Sequence, residues 1–237
     1  MKAVIMVGGF GKRLKPVTQV IPKPLLPLGD GEPILESTIR GLKKHNFNEI
    51  ILCTNYKSYL FETYLGDGSS RGIKVTYSKE KKPLGTAGPL KLLENKLDEP
   101  FLVINGDILT NLNFEDFRKF HYSNKADMTI ATKIVELPLR YGVVKTRNNK
   151  ITNIEEKPIM KAEVMAGIYF LNPEIIKEIP KNEPYLMTTL IKKISNNKKL
   201  YRYQLNNCYW LDIGQMDDYE KTLNKDYKKI LNAKNKK

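Results

Sequence analysis

A glycine-rich turn directly after a short apolar segment is the feature that most constrains how this chain can fold. Residues 3–7 are typical of a β-strand, and three glycines follow: Gly8, Gly9 and Gly11. Glycine allows sharp turns and lets backbone N–H groups approach a ligand closely. Because Lys12 and Arg13 add positive charge after the bend, the pattern predicts a cradle for an anion such as a nucleotide phosphate, although an ordinary strand-to-helix turn has the same pattern.

This turn matches neither of two common phosphate-binding loops. A P-loop requires Gly-Lys-Ser/Thr, whereas Gly11 and Lys12 are followed by Arg13, which has no hydroxyl group. The dinucleotide fingerprint requires glycine or alanine three residues after its second glycine, and Leu14 stands there. The anion site is therefore expected to be of another kind.

Lys23 is the next candidate for this site, since it lies between Pro22 and Pro24. The two prolines stiffen the segment and disfavour a helix. We therefore expect Lys23 to be held on a rigid loop near the glycine turn.

The pattern of apolar residues predicts an α/β fold. Strands are predicted at residues 3–7, 49–54, 73–77 and 101–104, with helices at 33–44 and 59–65 between them. This alternation predicts a Rossmann-like three-layer sandwich with a mixed, mainly parallel central sheet. Later strands are predicted at residues 127–133, 141–145, 151–154, 164–170 and 200–205, and later helices at 87–97, 114–121, 173–179, 185–195 and 216–229. Asn148 and Asn149 predict a hairpin, and His121 is expected on the surface of its helix.

Asp107 directly follows an apolar strand, and an aspartate in that position is well placed to hold a hard cation through oxygen. The alternative is an ordinary turn aspartate. Asp212 likewise lies at the end of an apolar, strand-like run.

Together these motifs resemble the sugar-phosphate nucleotidylyltransferases. The family signature, Gly-Gly-x-Gly-x-Arg-Leu, Pro-x-Thr and Pro-Lys-Pro, is matched at residues 8–14, 16–18 and 22–24. Leu-Gly-Thr-Ala-Gly at residues 84–88 is most similar to the loop of guanylyltransferases that make GDP-mannose. The resemblance covers roughly residues 1–225 and implies transfer of a nucleotidyl group from an NTP to a sugar 1-phosphate.

The resemblance also implies roles for individual residues. The magnesium ligands would be Asp107 and Asp212, and the nucleotide would contact Gly8, Gly9, Gly11, Lys12, Arg13, Gly85, Thr86 and Gly106. Arg13 and Lys12 would balance the leaving pyrophosphate, and Lys23 would lie by the reacting phosphates. The sugar would contact Gly142, Glu156, Lys157 and Met165, with Lys157 on its phosphate. Many relatives have asparagine at the position of Met165, so the sugar stays open: a mannose type is favoured, and a heptose, an amino sugar or a deoxy sugar could fit instead.

Composition limits the partners. The 237 residues carry a formal net charge of +14, and residues 229–237 are expected to be a basic tail of a single domain, 1–237. Because aromatic and basic residues are not interleaved, no nucleic-acid partner is expected. Cys53 and Cys208 show no metal-ligand spacing, which favours a reduced, cytoplasmic protein. No apolar run is long enough for a membrane span, and the first one is too short for a signal peptide.

The favoured function is therefore a magnesium-dependent nucleotidylyltransferase that uses GTP and a mannose- or heptose-type 1-phosphate. A UTP- or dTTP-dependent enzyme of the same class is the first alternative. A glycosyltransferase that uses a nucleotide-sugar is the second, and it would have no triphosphate to bind at Arg13. Assembly into a homo-oligomer is left open.

Overall fold

The computed structural model describes residues 1–225 and 227–232. Its strands are β1 (Lys2–Met6), β2 (Glu49–Thr54), β3 (Lys74–Lys79), β4 (Phe101–Asn105), β5 (Ile108–Thr110), β6 (Met128–Pro138), β7 (Val143–Arg147), β8 (Lys150–Glu155), β9 (Ile159–Leu171), β10 (Leu200–Gln204) and β11 (Trp210–Asp212). Its α-helices are α1 (Ile34–Lys44), α2 (Ser58–Leu65), α3 (Gly88–Lys91), α4 (Phe114–Ser123), α5 (Met187–Ile194), α6 (Met216–Leu223) and α7 (Tyr227–Asn232). Short 3-10 helices lie at Lys12–Leu14, Val17–Gln19, Lys23–Leu25, Ser69–Arg71 and Pro173–Glu178. None of the helices in these described ranges is long and apolar enough to cross a membrane.

The central sheet, counted over the described residues, has seven strands in the order β10-β6-β9-β4-β1-β2-β3. β1 pairs in parallel with β2 and β4, β2 with β3, and β10 with β6. β9 is antiparallel to both of its neighbours, β4 and β6. The predicted mixed, mainly parallel sheet is confirmed, and the carboxyl ends of β1 to β4 meet at one edge, where ligands bind in such folds.

Apolar side chains cover both faces of this sheet. Along β1, Ala3 packs into the core on one face and Val4 into the core on the other. Phe117 of α4 belongs to the first core, whereas Leu90 of α3 and Leu190 of α5 belong to the second. Helices therefore cover both faces, as the predicted three-layer, Rossmann-like sandwich requires.

An extension of the sheet, here called the hairpin arm, consists of residues 133–165: the outer part of β6, the β7–β8 hairpin with the turns that flank it, and the outer part of β9. β6 and β9 remain paired as far as Pro138 and Ile159. The hairpin turns at Asn148 and Asn149, whose φ angles of 47° and 63° are those of a two-residue turn with left-handed residues. The predicted hairpin is confirmed.

His121 is buried, so the prediction that it lies on the surface is wrong. It is 1% exposed, and its ring nitrogens lie 2.9 Å from Oγ1 of Thr129 and 3.1 Å from Oδ1 of Asn172. The physical reason is helical periodicity, because His121 follows the core residue Phe117 by four positions and shares its face of α4.

Two predicted helices are shorter than expected. The helix predicted for residues 87–97 ends at Lys91, and the following segment forms turns in which the Leu93 N–H donates to Leu90. The helix predicted for residues 216–229 is interrupted after α6, where the carbonyl oxygen of Thr222 accepts a 3.1 Å hydrogen bond from the N–H of Gly29. At the second place a tertiary contact overrides helix propensity.

The predicted basic tail begins inside a helix. Residues 229–232 belong to α7, which docks through the fully buried Tyr227. The remaining residues of the predicted tail, 233–237, lie outside the described residues.

Candidate active site

The glycine loop, residues 8–13, takes its shape from one left-handed glycine. Gly11 has φ 59°, and a Cβ atom built there would lie 2.8 Å from Cγ2 of Thr18. The hydroxyl of Thr18 and the N–H of Leu14 each donate a 2.9 Å hydrogen bond to the Gly11 carbonyl oxygen. Because only glycine suits both this φ and this packing, the chain turns sharply here before Lys12 and Arg13.

A cavity of about 410 Å³ opens at the carboxyl ends of β1 and β4. It is lined by Met6, Val7, Gly9, Phe10, Gly11, Lys12, Arg13, Leu14, Lys23, Pro24, Asp107, Asp212 and Gly214. The structure therefore brings together seven residues predicted from the sequence: Gly9, Gly11, Lys12, Arg13, Lys23, Asp107 and Asp212. Gly8 and Gly106 adjoin this lining, and the N–H of Gly106 donates a 3.0 Å hydrogen bond to Met6.

A short pair of strands joins the two aspartates. β11 runs antiparallel to β5, with Asp212 opposite Ile108. The N–H of Ile213 donates a 3.2 Å hydrogen bond to the carbonyl oxygen of Asp107. Two residues far apart in sequence therefore present carboxylates to the same cavity.

Lys23 lies between these carboxylates. Its Nζ is 2.6 Å from Oδ2 of Asp107 and 3.9 Å from Oδ1 of Asp212. The side chain is buried, and Lys23 begins a short 3-10 helix, Lys23–Leu25, where the sequence predicted a loop. The ammonium group offsets the repulsion between the two acids.

The two aspartates have features that suit a divalent cation. Desolvation and the negative charge of Asp107 raise the pKa of Asp212, while Lys23 and Arg13 oppose the shift. Oδ1 of Asp107 is buried and has no hydrogen-bond partner among the described residues. Because a buried oxygen without a partner is costly, a cation between the two carboxylates would remove both penalties.

This pair of ligands fits Mg²⁺ better than a metal that requires an all-protein cage. Mg²⁺ is commonly held by one or two carboxylates together with substrate phosphates and water. In the described part of the chain, no three His, Cys, Asp or Glu side chains are grouped to hold a metal. Asp107 and Asp212 are therefore the residues that could hold it.

The second glycine-rich loop, residues 83–88, lies against the segment before α5. Gly85 has φ 79°, and a Cβ atom there would lie 2.7 Å from the carbonyl oxygen of Tyr185. The hydroxyl of Thr86 accepts a 2.8 Å hydrogen bond from the N–H of Met187. Gly85 and Thr86 thus determine the conformation of this loop and do not line the cavity.

Glu80 is a candidate ligand-binding residue that was not predicted from the sequence. It is half-buried, and its Oε2 accepts a 2.8 Å hydrogen bond from the N–H of Leu84 in the second loop. A Cβ atom on Gly8 would lie 2.7 Å from Oε1, so this carboxylate is located where the two glycine-rich loops meet. Desolvation raises the pKa of Glu80, and the Leu84 N–H opposes the shift. The available signal was its position directly after β3, at the same sheet edge as Asp107.

The predicted sugar residues form a separate group on the hairpin arm. A Cβ atom on Gly142 would lie 3.0 Å from Oε2 of Glu156, and Nζ of Lys157 lies 3.9 Å from Oε1 of the same residue. Lys157 has φ 44°, and its side chain and that of Glu156 are exposed. Met165 lies on β9 opposite Thr132 and is 40% exposed. The structure does not bring these four residues into the lining of the cavity.

Almost the whole chain is similar to known proteins. A family model described as nucleotidyl transferase matches residues 2–229. The chain is 39% identical over 226 residues to the mannose-1-phosphate guanylyltransferase catalytic subunit beta of Dictyostelium discoideum, and 36% identical over 227 residues to a mannose-1-phosphate guanyltransferase of Yarrowia lipolytica. Each alignment covers 92% of this chain but only 62% of the relative.

Solved structures with a similar fold cover nearly all of the chain. A putative glucose-1-phosphate thymidylyltransferase from Bacillus anthracis, in complex with a sucrose, has a TM-score of 0.79 at 25% identity and covers 100% of this chain and 98% of its own. HddC from Yersinia pseudotuberculosis, complexed with GMP-PN, has a TM-score of 0.73 at 26% identity, with coverages of 94% and 97%.

Proposed function

Because the chain belongs to the nucleotidyl transferase family, we propose that it joins the nucleoside monophosphate of an NTP to a sugar 1-phosphate and releases pyrophosphate. GTP is the preferred NTP, and the sugar is of a mannose or heptose type. The names of the relatives from Dictyostelium discoideum and Yarrowia lipolytica support this choice. They do not decide it, since the chain spans only 62% of their length.

The observation that carries the proposal is the meeting of a glycine loop, three cations and two carboxylates in one cavity. Lys12, Arg13 and Lys23 supply positive charge, and Asp107 and Asp212 can hold a metal, all at the carboxyl edge of the sheet. This combination is suited to bind a triphosphate together with a divalent cation. A glycosyltransferase that uses a nucleotide-sugar would have less use for cations beyond the metal site.

The reaction requires no general base. The second pKa of a phosphate monoester is about 6, so most of a sugar 1-phosphate is doubly ionised at neutral pH. One of its oxygens attacks the α-phosphorus of the NTP, and the bond to the β-phosphate oxygen breaks as pyrophosphate leaves. The barrier is repulsion between anions, which positioning and electrostatic stabilisation can lower.

The residues of the cavity divide this task. Arg13 and Lys12 balance the charge that develops on the departing pyrophosphate, and Lys23 lies beside the reacting phosphates. Mg²⁺ held by Asp107 and Asp212 would neutralise charge on the phosphates and orient them. With Mg²⁺ held at the two carboxylates, the ammonium of Lys23 would no longer be needed to balance both of them and could contact phosphate.

Glu80 supports guanine as the base. Guanine presents two adjacent donors, N1–H and the 2-amino group, and one carboxylate can accept from both. Adenine has no N1–H, and uracil and thymine offer a single N3–H. The Leu84 N–H already donates to Oε2 of this half-buried carboxylate, and guanine would satisfy its remaining acceptor capacity better than a base with fewer donors, so Glu80 would discriminate among bases. The GMP-PN complex of HddC supports the same choice.

The hairpin arm is the proposed site of the sugar phosphate. Glu156 would accept hydrogen bonds from sugar hydroxyl groups, Lys157 would pair with the phosphate, and Gly142 leaves room beside Glu156. Because these residues are exposed and separate from the cavity, substrate must bridge the two groups or the arm must approach it. Met165 offers an apolar contact where a polar one would fix a hydroxyl, which leaves space for a modified sugar.

The proposed setting is the cytoplasm, where both substrates would be available. The supporting observation is that Cys53 and Cys208 are free thiols, as in a reducing compartment. Assembly into a homo-oligomer is compatible with the proposal but is not required by it.

The test measures pyrophosphate release with ATP, GTP, CTP, UTP and dTTP against a panel of sugar 1-phosphates. The Glu80→Gln variant should lose much of its preference for GTP, since a carboxamide offers one acceptor where guanine needs two. Glu178→Gln is a matched control, because Glu178 forms a surface ion pair with Lys193 on another element.

Each outcome of this test has one interpretation. The highest kcat/KM with UTP, dTTP or CTP would contradict the assignment of guanine and favour the alternative that the thymidylyltransferase neighbour suggests. High activity with another sugar would correct the sugar alone. No pyrophosphate release with any pair, but sugar transfer from a nucleotide-sugar, would replace the proposal with a glycosyltransferase.

A further inference from the structure

The turn between β2 and α2, residues 55–57, contacts the loops on either side of it. It follows the carboxyl end of β2, next to the glycine loop. Lys57, the last residue of the turn, has φ 54° and ψ 40°, a left-handed conformation that is uncommon for a residue other than glycine. Such a conformation is retained when its surroundings enforce it, and it occurs often at functional sites.

Lys57 is tied to the segment that supports the glycine loop. Its Nζ donates hydrogen bonds to the carbonyl oxygens of Gln19 and Val20, the latter at 2.7 Å. These carbonyls end the 3-10 helix of Val17–Gln19, whose Thr18 holds Gly11. One lysine is thus linked, through a single short helix, to the glycine that shapes the loop.

Aromatic contacts strengthen this link. The rings of Phe10, in the glycine loop, and Tyr56, in the turn, have centroids 5.3 Å apart. Nζ of Lys57 lies 5.3 Å from the centroid of the Tyr56 ring. Phe10 lines the cavity, so the turn contacts the wall of the site directly.

The other end of the turn is fixed to Glu80. Nδ2 of Asn55 donates a 3.0 Å hydrogen bond to the carbonyl oxygen of Glu80. The same residue packs against Gly8, where a Cβ atom would lie 3.4 Å from Cβ of Asn55. The turn is therefore an anchored support that joins the residue proposed to recognise the base to the loop proposed to bind the phosphates.

From this geometry we infer that Lys57 is a positioning residue that keeps the glycine loop ordered for the triphosphate. The inference rests on the proposed function, since it assumes that an NTP occupies the loop. Residues 7–22 contain no strand, and a loop of that length loses conformational entropy when it closes on a ligand. Two hydrogen bonds from an ammonium group restrict the loop before the nucleotide arrives, so binding orders less of the chain.

Two substitutions separate the tether from the shape of the turn. Lys57→Gly removes the ammonium group but suits the left-handed conformation, and Lys57→Met removes the charge and keeps the length of the side chain. Lys57→Arg retains a donor. Lys193→Met is the matched control, because Nζ of Lys193 donates a 2.8 Å hydrogen bond to a backbone carbonyl oxygen, that of Glu178, on another element.

We expect Lys57→Gly and Lys57→Met each to raise the KM for GTP about tenfold, the size expected for the loss of a charged hydrogen bond. The KM for the sugar 1-phosphate should change less than twofold, and the melting temperature of Lys57→Gly should not fall. By calorimetry, affinity for GTP should fall more than affinity for GMP, which lacks the two outer phosphates. Lys57→Arg should be close to wild type.

A structural role alone would change the melting temperature and leave the ratio of KM values as it is. The inference is overturned if neither Lys57→Gly nor Lys57→Met changes the KM for GTP, if both KM values rise together, or if Lys193→Met has the same effect. If the wild-type protein binds no NTP at all, the proposed function fails first. If the wild type is active and the Lys57 variants have an unchanged KM for GTP, this inference alone is overturned.

Discussion

At the scale of single residues, Lys23 partly balances the negative charge of the two aspartates in the cavity. It is 9% exposed and contacts Asp107 and Asp212, so one ammonium group faces two carboxylates. One positive charge leaves this cluster with a net negative charge that attracts a divalent cation. The cluster is therefore suited to exchange between a metal-free state balanced by lysine and a loaded state.

The first prediction concerns the carboxylates. Asp107→Asn and Asp212→Asn should each lower turnover by roughly 100-fold to 1,000-fold, because each would remove a carboxylate that we propose to hold the metal at the reacting phosphates. Circular dichroism should show an intact fold in both variants. Full turnover in either variant would contradict the assignment.

The second prediction concerns the stability of the metal-free protein. Since burial and Asp107 raise the pKa of Asp212, its ionisation opposes folding, and this loss of stability grows as the pH rises from the ordinary value of 3.8 and is complete above the folded-state pKa. Asp212→Asn should therefore raise the melting temperature at neutral pH. The gain should shrink as the pH falls and vanish below the ordinary value of 3.8, where the wild-type carboxyl is protonated in both states.

That comparison requires chelator in every sample, because bound metal would stabilise the wild type. Asp98→Asn serves as the control, since a hydrogen bond from Lys2 lowers the pKa of Asp98. This substitution should therefore lower the melting temperature at neutral pH. A gain for Asp212→Asn that grows as the pH falls would contradict the prediction.

The third prediction separates the two cationic sites. Arg13→Ala should raise the KM for the NTP about 10- to 100-fold, because Arg13 lines the cavity beside the glycine loop. Lys157→Ala should do the same for the sugar 1-phosphate, because it lies beside Glu156 on the hairpin arm. Steady-state kinetics with each substrate varied in turn makes the comparison, and a rise in the same KM in both variants would refute the separation.

At the scale of elements, the pairing of β5 with β11 brings Asp107 and Asp212 together, and α4 is attached to the outer half of the sheet. Asn113 begins α4, and its side chain accepts hydrogen bonds from the N–H groups of Glu115 and Asp116. His121, near the other end, is hydrogen-bonded to Thr129 of β6 and to Asn172, which follows β9. The helix is thereby attached to both antiparallel partners in the sheet.

The fourth prediction follows from this buried histidine. Desolvation lowers the pKa of His121 below the ordinary value of 6.5, so the unfolded chain binds its proton first as the pH falls. Stability should therefore decrease from pH 6.5 down to the folded-state pKa. His121→Gln should remove this part of the slope in urea unfolding measured as a function of pH, and an unchanged slope would rule out His121 as its source.

At the scale of the whole molecule, the central strands connect the two faces of the fold. β4 pairs with β1 and β9, and β9 also pairs with β6, so neither half of the sheet is independent. Both cores contain residues of β1, β4 and β9. From this continuity we predict that the described residues behave as a single domain.

The fifth prediction is that the chain unfolds in one cooperative step. Since removal of either half would expose the apolar residues of β9, we expect equal calorimetric and van't Hoff enthalpies for the metal-free protein. Fluorescence and circular dichroism should give the same midpoint. Two separated transitions would divide the chain into more than one domain.

The sequence alone determined the local chemistry of this protein. Residues prefer particular backbone conformations, and these preferences depend only on the residue and its neighbours in sequence. They account for the glycine turn, the buried apolar strands and the hairpin at Asn148 and Asn149. The same reasoning selected Asp107 and Lys23, because strand ends and prolines place side chains predictably. It failed for His121, whose helical period was not counted against Phe117.

Only the tertiary structure decided which distant groups meet. The contact of Lys23 with both aspartates depends on the pairing of β5 with β11. The position of Glu80 beside Gly8 depends on the parallel direction of β3 and β1, which brings their carboxyl ends to the same side of the sheet. Lys57 was invisible in the sequence because its partners are backbone carbonyls, which every residue has. Strand order and register minimise the free energy of the whole chain, so no local pattern specifies these contacts.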